Sequence, residues 1–199
     1  MYGRIRLCYC TALHRLGQEM LIDRDRSRMM LVDMQTGLVP AMATAAATTK
    51  ACALLLTAAR EVGVPIAISE QYPKGLGRTV PELASLAGTN QFFEKIEFSC
   101  HANPGLQAAL MAGDRGQIVI AGIEAHVCVL QTALDLRAAG REVFVVADAI
   151  SSRQPESRAV AIERMAKAGV EIVTAEMVLF EWLRSAAAAE FKALSKLIR

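Results

Sequence analysis

The chain has little charge of either sign to spare. Its 199 residues hold 22 Lys and Arg against 20 Asp and Glu, a formal net charge of only +2, with no long basic run. That balance gives no support to a nucleic-acid-binding surface. Paired cysteines are also missing. The five present are Cys8, Cys10, Cys52, Cys100 and Cys128, an odd number with no CxxC spacing. This argues against a disulfide framework and a zinc site, and makes a reduced intracellular compartment, cytoplasmic or mitochondrial, the default. The three histidines, His14, His101 and His126, are too scattered to form a ligand motif. No apolar run has membrane length: the longest charge-free stretch, residues 34–49, is 16 residues rich in Ala and Thr, and Lys50 ends it. No membrane partner is expected. No internal repeat, interdomain linker or second domain is visible.

Hydrophobic residues make up 53% of the chain, enough for one well-filled core. Residues 1–18 carry Arg4, Arg6 and Arg15 and no acid. That is the composition of a mitochondrial presequence, and equally of a basic leader upstream of a start at Met20. We read residues 1–28 as a basic N-terminal extension and 29–199 as the folded domain. Within it, short apolar runs alternate with helical patterns. Strands are expected at 29–32, 64–68, 91–94, 116–121, 142–147 and 170–173. Helices are expected from Pro40 to about Val62, from Ser99 or Asn103 to Met111, and over 125–139, 155–168 and 175–198. Gly63, Gly140 and Gly169 stop three of them, and residues 69–91 read as a long connection. Such alternation predicts an α/β fold: three α-β-α layers around a six-stranded, mainly parallel sheet of Rossmann-like type.

Cys128 follows the fourth strand and opens the next helix. The amides and dipole at a helix start favour thiolate, whereas a free cysteine is more often a small buried hydrophobe. Position alone leaves the two readings even. Asp33 ends the first expected strand and Lys95 follows the third. In a parallel sheet all carboxyl ends share one edge, so Asp33, Lys95 and Cys128 can converge. A thiol needs a base, which a carboxylate supplies, and a lysine stabilises both anions.

Three segments, Leu31-Val32-Asp33-Met34-Gln35, Phe93-Glu94-Lys95 and Gly122-Ile123-Glu124-Ala125-His126-Val127-Cys128-Val129, together resemble the isochorismatase-like cysteine hydrolases over roughly residues 29–198. Ser69 to Gly77, Asp148 to Arg153 and Phe191 to Ile198 are similar to the eukaryotic isochorismatase-domain branch, some of it mitochondrial. The resemblance implies an Asp-Lys-Cys triad, with Cys128 as nucleophile, Asp33 as general base and Lys95 as electrostatic partner. It implies a non-proline cis bond at Ile123–Glu124 that turns the Glu124 and Cys128 amides into an oxyanion hole. The implied reaction is thiolate attack on a carbonyl, an acyl-enzyme, and hydrolysis of a C–N or ester-like bond in a small molecule. Vinyl-ether cleavage, as in true isochorismate hydrolysis, does not need the cysteine and is disfavoured by its retention. Candidate substrate contacts are Gln35, Glu70, Tyr72 and Ile123, with Glu124, Arg78 and His126 further choices near the same edge.

The sequence departs from the nicotinamidase branch, whose metal site uses an Asp and histidines after the second strand. Here that loop offers Glu70, Gln71 and Tyr72, so no metal or other cofactor is expected. Gly75-Leu76-Gly77-Arg78-Thr79-Val80 starts like a dinucleotide loop, but Val80 stands where the third glycine belongs and Pro81 follows. Residues 177–183 carry bulky apolar side chains on more than one side, suiting a buried or interfacial helix. The resemblance implies a homo-oligomer, a dimer or larger. Two other functions remain open: a non-catalytic binding or assembly module of the same fold, and RNA processing, since some relatives are named ribonucleases.

Overall fold

The computed structural model describes residues 21–88 and 91–198. The mitochondrial-or-leader reading of residues 1–18, with Cys8, Cys10 and His14, falls outside the described residues. Six strands form one sheet: β1 Ser27–Val32, β2 Ile66–Gln71, β3 Phe92–Lys95, β4 Gln117–Ile123, β5 Glu142–Ser151 and β6 Glu171–Val173. Every pairing is parallel and the order is β3-β2-β1-β4-β5-β6. Helices cover both faces, giving the expected three layers. They are α1 Ala45–Glu61, α2 Pro73–Leu76, α3 Pro81–Ala84, α4 Pro104–Met111, α5 Leu130–Ala138, α6 Pro155–Lys167, α7 Ala175–Leu183 and α8 Phe191–Leu194.

The apolar strand runs are continuous because both faces are buried, and their parity divides the core. From β1, Met29 and Leu31 point to one side and Met30 and Val32 to the other; in β4, Val119, Ala121 and Ile123 oppose Ile118 and Ile120. The first side packs against Leu55 and Leu56 of α1 and Leu179 and Trp182 of α7. The second packs against Leu106 and Leu110 of α4, Ala133 and Leu136 of α5, and Met165 of α6. Each Leu or Ile fully withdrawn from water contributes about 1.5–3 kcal/mol, so both layers are well anchored. Among the described residues no helix is long and apolar enough to cross a membrane.

Several boundaries differ from expectation for identifiable reasons. Pro40 opens a 3₁₀ turn, Val39–Ala41, and α1 starts only at Ala45. Residues 69–91 are not wholly a connection. β2 runs on through Ser69, Glu70 and Gln71, and two one-turn helices follow. Glu70 tolerates burial there because Thr79 N–H and Oγ–H each donate to Oε1 at 2.8 Å and Arg78 Nη1 donates to Oε2 at 2.7 Å. Burial opposes its charge, yet these donors outweigh that and hold its pKa below the usual range. The segment around Cys128 is a π-helical turn, Ala125–Val129, that leads into α5.

Candidate active site

The strand order reverses between β1 and β4, and crevices at such switch points are where ligands bind in open α/β sheets. Asp33 leaves β1 and Cys128 follows β4 on those two adjacent strands. Lys95 ends β3, two strands away, and its long side chain crosses the gap. Lys95 Nζ donates to Asp33 Oδ2 at 2.8 Å and lies 3.7 Å from Cys128 Sγ. The ion pair is closed off from water, with side-chain exposures of 0% for Lys95 and 1% for Asp33, and Cys128 is 5% exposed. Lys95 is therefore in direct reach of both Asp33 and Cys128, as the shared sheet edge predicted.

The backbone is bent to make this approach. Asp33 takes a left-handed conformation (φ 52°), and Gly122 sits beside it at φ 130°. A Cβ on Gly122 would lie 2.1 Å from the Val32 carbonyl oxygen, so only glycine lets β4 pass the end of β1 this closely. Among the described residues every peptide bond is trans, so the cis bond expected at Ile123–Glu124 is not there. Glu124 makes the reversal instead, at φ 55° and ψ 59°. A left-handed residue costs roughly 1–2 kcal/mol, against about 3–4 kcal/mol for a non-proline cis bond, which is the physical reason that a trans turn suffices. The Glu124 carbonyl then accepts from the amides of Val127 at 2.9 Å and Val129 at 3.4 Å.

The ionisation states follow from the surroundings. Burial works against charge on Lys95, but Asp33 and the two nearby thiols, Cys100 and Cys128, outweigh it and keep its pKa above the ordinary value. Burial and the negative charge of Asp33 push the Cys128 thiol well up, with Lys95 pulling the other way. At rest the sulfur is a neutral thiol beside an ammonium ion. The expected effect of the helix start is thus overridden by burial.

The other candidates are placed as follows. Gln35 is fully buried: Nε2 donates to Gln71 O (2.9 Å) and Gly77 O (2.7 Å), and Oε1 accepts from the Gln71 amide (2.7 Å). Its polar atoms, like those of Glu70, are engaged within the protein. Ile123 is buried in the core layer that holds α1. Tyr72 is 54% exposed and lines a cleft of about 380 Å³ with Lys74, Glu94, Lys95 and Ile96. Glu124 holds Arg153 Nε at 2.8 Å and lies 3.4 Å from His126 Nδ1, which also meets Ser152 Oγ at 3.0 Å. Arg78, itself exposed, bridges the buried Glu70 and the exposed Glu94. Among the described residues no group of three or more His, Cys, Asp or Glu side chains is placed to hold a metal ion.

Sequence reasoning missed two residues. Ser69 Oγ–H donates to Asp33 Oδ1 at 2.6 Å, and Gln71 Oε1 accepts from Lys95 Nζ at 2.6 Å. Both occupy the polar end of β2, which reads as a loop. Their signal is the strand register, Val32 opposite Ser69 and Gln71 opposite Lys95, which is invisible until the strands are paired.

The parallel sheet thus carries a buried thiol, carboxylate and lysine at its switch point. The model of the isochorismatase domain matches residues 28–177, and the chain belongs to that family. It is 46% identical over 147 residues to isochorismatase domain-containing protein 1 of Danio rerio, covering 73% of this chain and 51% of that protein. The chain thus spans about half the length of that relative. Among solved structures it is similar to the MAR1 ribonuclease of Caenorhabditis elegans, with a TM-score of 0.85 at 35% identity, covering 89% of this chain and 92% of that one. It is also similar to the YcaC gene product of Escherichia coli, described as an octameric hydrolase of unknown specificity. That TM-score is 0.85 at 26% identity, with 90% of each chain covered.

Proposed function

We propose that the protein is a cysteine hydrolase that cleaves a C–N (amide-type) or ester-like bond of a small molecule through Cys128, Asp33 and Lys95. The observation that carries this reading is the position of Lys95 Nζ, 2.8 Å from Asp33 Oδ2 and 3.7 Å from Cys128 Sγ. Because the resting sulfur is a thiol, its proton must leave as it attacks. Asp33 takes that proton while Sγ bonds to the substrate carbonyl carbon and the carbonyl π pair moves to oxygen. We assign the oxyanion to the amides of Glu124, which caps the π turn, and of Cys128 within that turn, with the trans turn at Glu124 in place of the expected cis bond. Collapse breaks the bond to the leaving amine or alcohol, to which Asp33 returns the proton. A water that gives its proton to Asp33 then attacks the thioester, and Cys128 departs reprotonated as the acid product forms. Lys95 holds Asp33 in place and balances the thiolate. Tyr72, on the cleft beside Lys95, is the exposed candidate for substrate contact.

A homo-oligomer fits this reading. Met177 and Phe180 of α7 and Leu21 are exposed around a groove of about 470 Å³, and the E. coli neighbour is described as octameric. Sizing by light scattering at micromolar concentration is expected to give at least a dimer, and a monomer counts against assembly. The test of the chemistry is a panel of amides, carbamates and esters with wild type and Cys128→Ala. A substrate turned over by the wild type is expected to lose at least about 10³-fold in kcat in the variant. Equal turnover by Cys128→Ala would remove Cys128 as nucleophile. An RNA arm in the same panel separates the ribonuclease reading, which the near-neutral charge does not favour.

A further inference from the structure

We propose that Gln71 is a positioning residue that sets the charge Lys95 presents to Cys128, and that an uncharged amide at this place is required. The proposal rests on the reading of Cys128 as nucleophile and adds a residue to that site. An ammonium has three protons to give. Lys95 Nζ has Asp33 Oδ2 at 2.8 Å, Gln71 Oε1 at 2.6 Å, the carbonyls of Glu97 and Phe98 at 3.2 and 3.3 Å, and Cys128 Sγ at 3.7 Å. The Gln71 bond is the shortest of these. The same side chain donates from Nε2 to the Ile96 carbonyl at 2.7 Å, so one amide grips both the ammonium and the peptide next to it.

Gln71 is itself fixed. Gln35 clamps its peptide from both sides, Oε1 accepting from the Gln71 N–H at 2.7 Å and Nε2 donating to the Gln71 carbonyl at 2.9 Å. Gln35 lies two residues beyond Asp33, so the clamp ties the strand end that carries the base to the strand end that holds the lysine. The parallel register adds the rest, because Gln71 stands opposite Lys95. The result is a lysine held by one charged acceptor, Asp33, and by neutral acceptors of which Gln71 is nearest, ahead of the Glu97 and Phe98 carbonyls. The lysine charge balances a single anion, which is Asp33 at rest, and Cys128 Sγ lies 3.7 Å away. A second carboxylate in place of Gln71 would be nearly isosteric yet would add a negative charge to a site whose net charge is zero, and so oppose formation of the thiolate.

The test compares wild type with Gln71→Glu and Gln71→Met, using iodoacetamide as probe. Alkylation is read at the peptide that contains Cys128 by mass spectrometry, between pH 6 and 10. In Gln71→Glu the pH–rate curve is expected to move to higher pH by about one unit, a roughly tenfold slower reaction at any pH on its rising limb. In Gln71→Met the curve is expected to fall in height, because the ammonium is no longer pinned. A purely structural glutamine would change the melting temperature and leave the curve of the folded variant in place. An unmoved curve in folded Gln71→Glu overturns the proposal, and so does a shift to lower pH. Should Gln71→Glu not fold, Gln71→Met decides: wild-type rates overturn the proposal and slowed rates uphold it. A second readout does not use the thiol. The ¹⁵N ammonium resonance of Lys95 is expected to be observable in wild type and lost to fast exchange in Gln71→Met, and its survival there overturns the proposal. If wild-type Cys128 proves inert while the Lys95 resonance responds, the nucleophile reading fails and the positioning by Gln71 stands.

Discussion

Lys95→Met removes one half of a fully buried ion pair and leaves the other half behind. At 2.8 Å, and with an effective dielectric constant of about 20, the lost attraction is about 6 kcal/mol. Part of this returns because the ammonium no longer has to be desolvated, so the expected net loss of stability is about 3–5 kcal/mol, the usual cost of stranding a buried charge. For a domain of this size that corresponds to a fall in Tm of roughly 6–20 °C. The informative comparison is with Asp33→Asn/Lys95→Met, which strands no charge. The double variant is expected to be more stable than Lys95→Met alone, because the desolvation penalties of both groups disappear together. Urea unfolding at pH 7, followed by circular dichroism, measures all three species against wild type. A loss below about 1 kcal/mol in Lys95→Met would show that water screens the pair as it does at a surface. A double variant less stable than the single would show that Asp33 without Lys95 is not a stranded buried charge. Either result would refute the picture of a sealed site.

Two further outcomes follow from the same geometry. Burial, the first cause in each case, raises all three described thiols: Cys100 to about 11, and Cys52 and Cys128 further. Above pH 8.5 the unfolded chain releases these protons and the folded chain keeps them. The native state then binds more protons, and stability must fall as pH rises, by up to about 4 kcal/mol per pH unit for three thiols. Lys95 does not offset this, because its raised pKa begins to cost stability only above the unfolded lysine value, near about 10.4. Urea titrations at pH 8, 9 and 10 are expected to show the decline, with about one third of the slope removed in Cys52→Ala, and a flat profile would contradict the burial of these sulfurs. Gly122→Ala is expected to abolish folding, since its Cβ would meet backbone at 2.1 Å; a soluble variant with wild-type Tm would mean that β1 and β4 are not this close.

The strands were legible wherever an apolar run was bounded by glycine, aspartate or proline, as in the runs expected at 116–121 and 142–147, because burial on both faces leaves no other reading of such a run at that length. The meeting of Asp33, Lys95 and Cys128 was legible for a topological reason: parallel strands put their carboxyl ends on one edge. What failed was local polarity. Ser69, Glu70 and Gln71 look like loop residues, yet they extend β2 because Asp33, Thr79, Arg78 and Lys95 satisfy them from elsewhere in the chain. Only the pairing of β2 with β1 and β3 brings those partners within reach. The turn at Glu124 was misjudged for a related reason. A single residue with positive φ leaves no trace in a side chain that is not glycine or asparagine.

Burial of Cys128 makes its ionisation into solvent harder, which taken alone opposes its use as a nucleophile. The charge count at the site removes the contradiction. At rest the group holds one anion at Asp33, one cation at Lys95 and a neutral thiol. In the proposed mechanism the thiol proton passes to Asp33, and the group then holds a neutral acid, the same cation and a thiolate. The buried region carries zero net charge before and after, so the desolvation that penalises loss of the proton to water does not penalise its transfer within the site. The ammonium, 2.8 Å from one anion position and 3.7 Å from the other, serves both states without moving. Exclusion of water makes each of its interactions stronger. In the proposed mechanism such a site ionises in step with attack on a bound carbonyl. The burial that raises the resting thiol pKa is therefore compatible with internal proton transfer to Asp33.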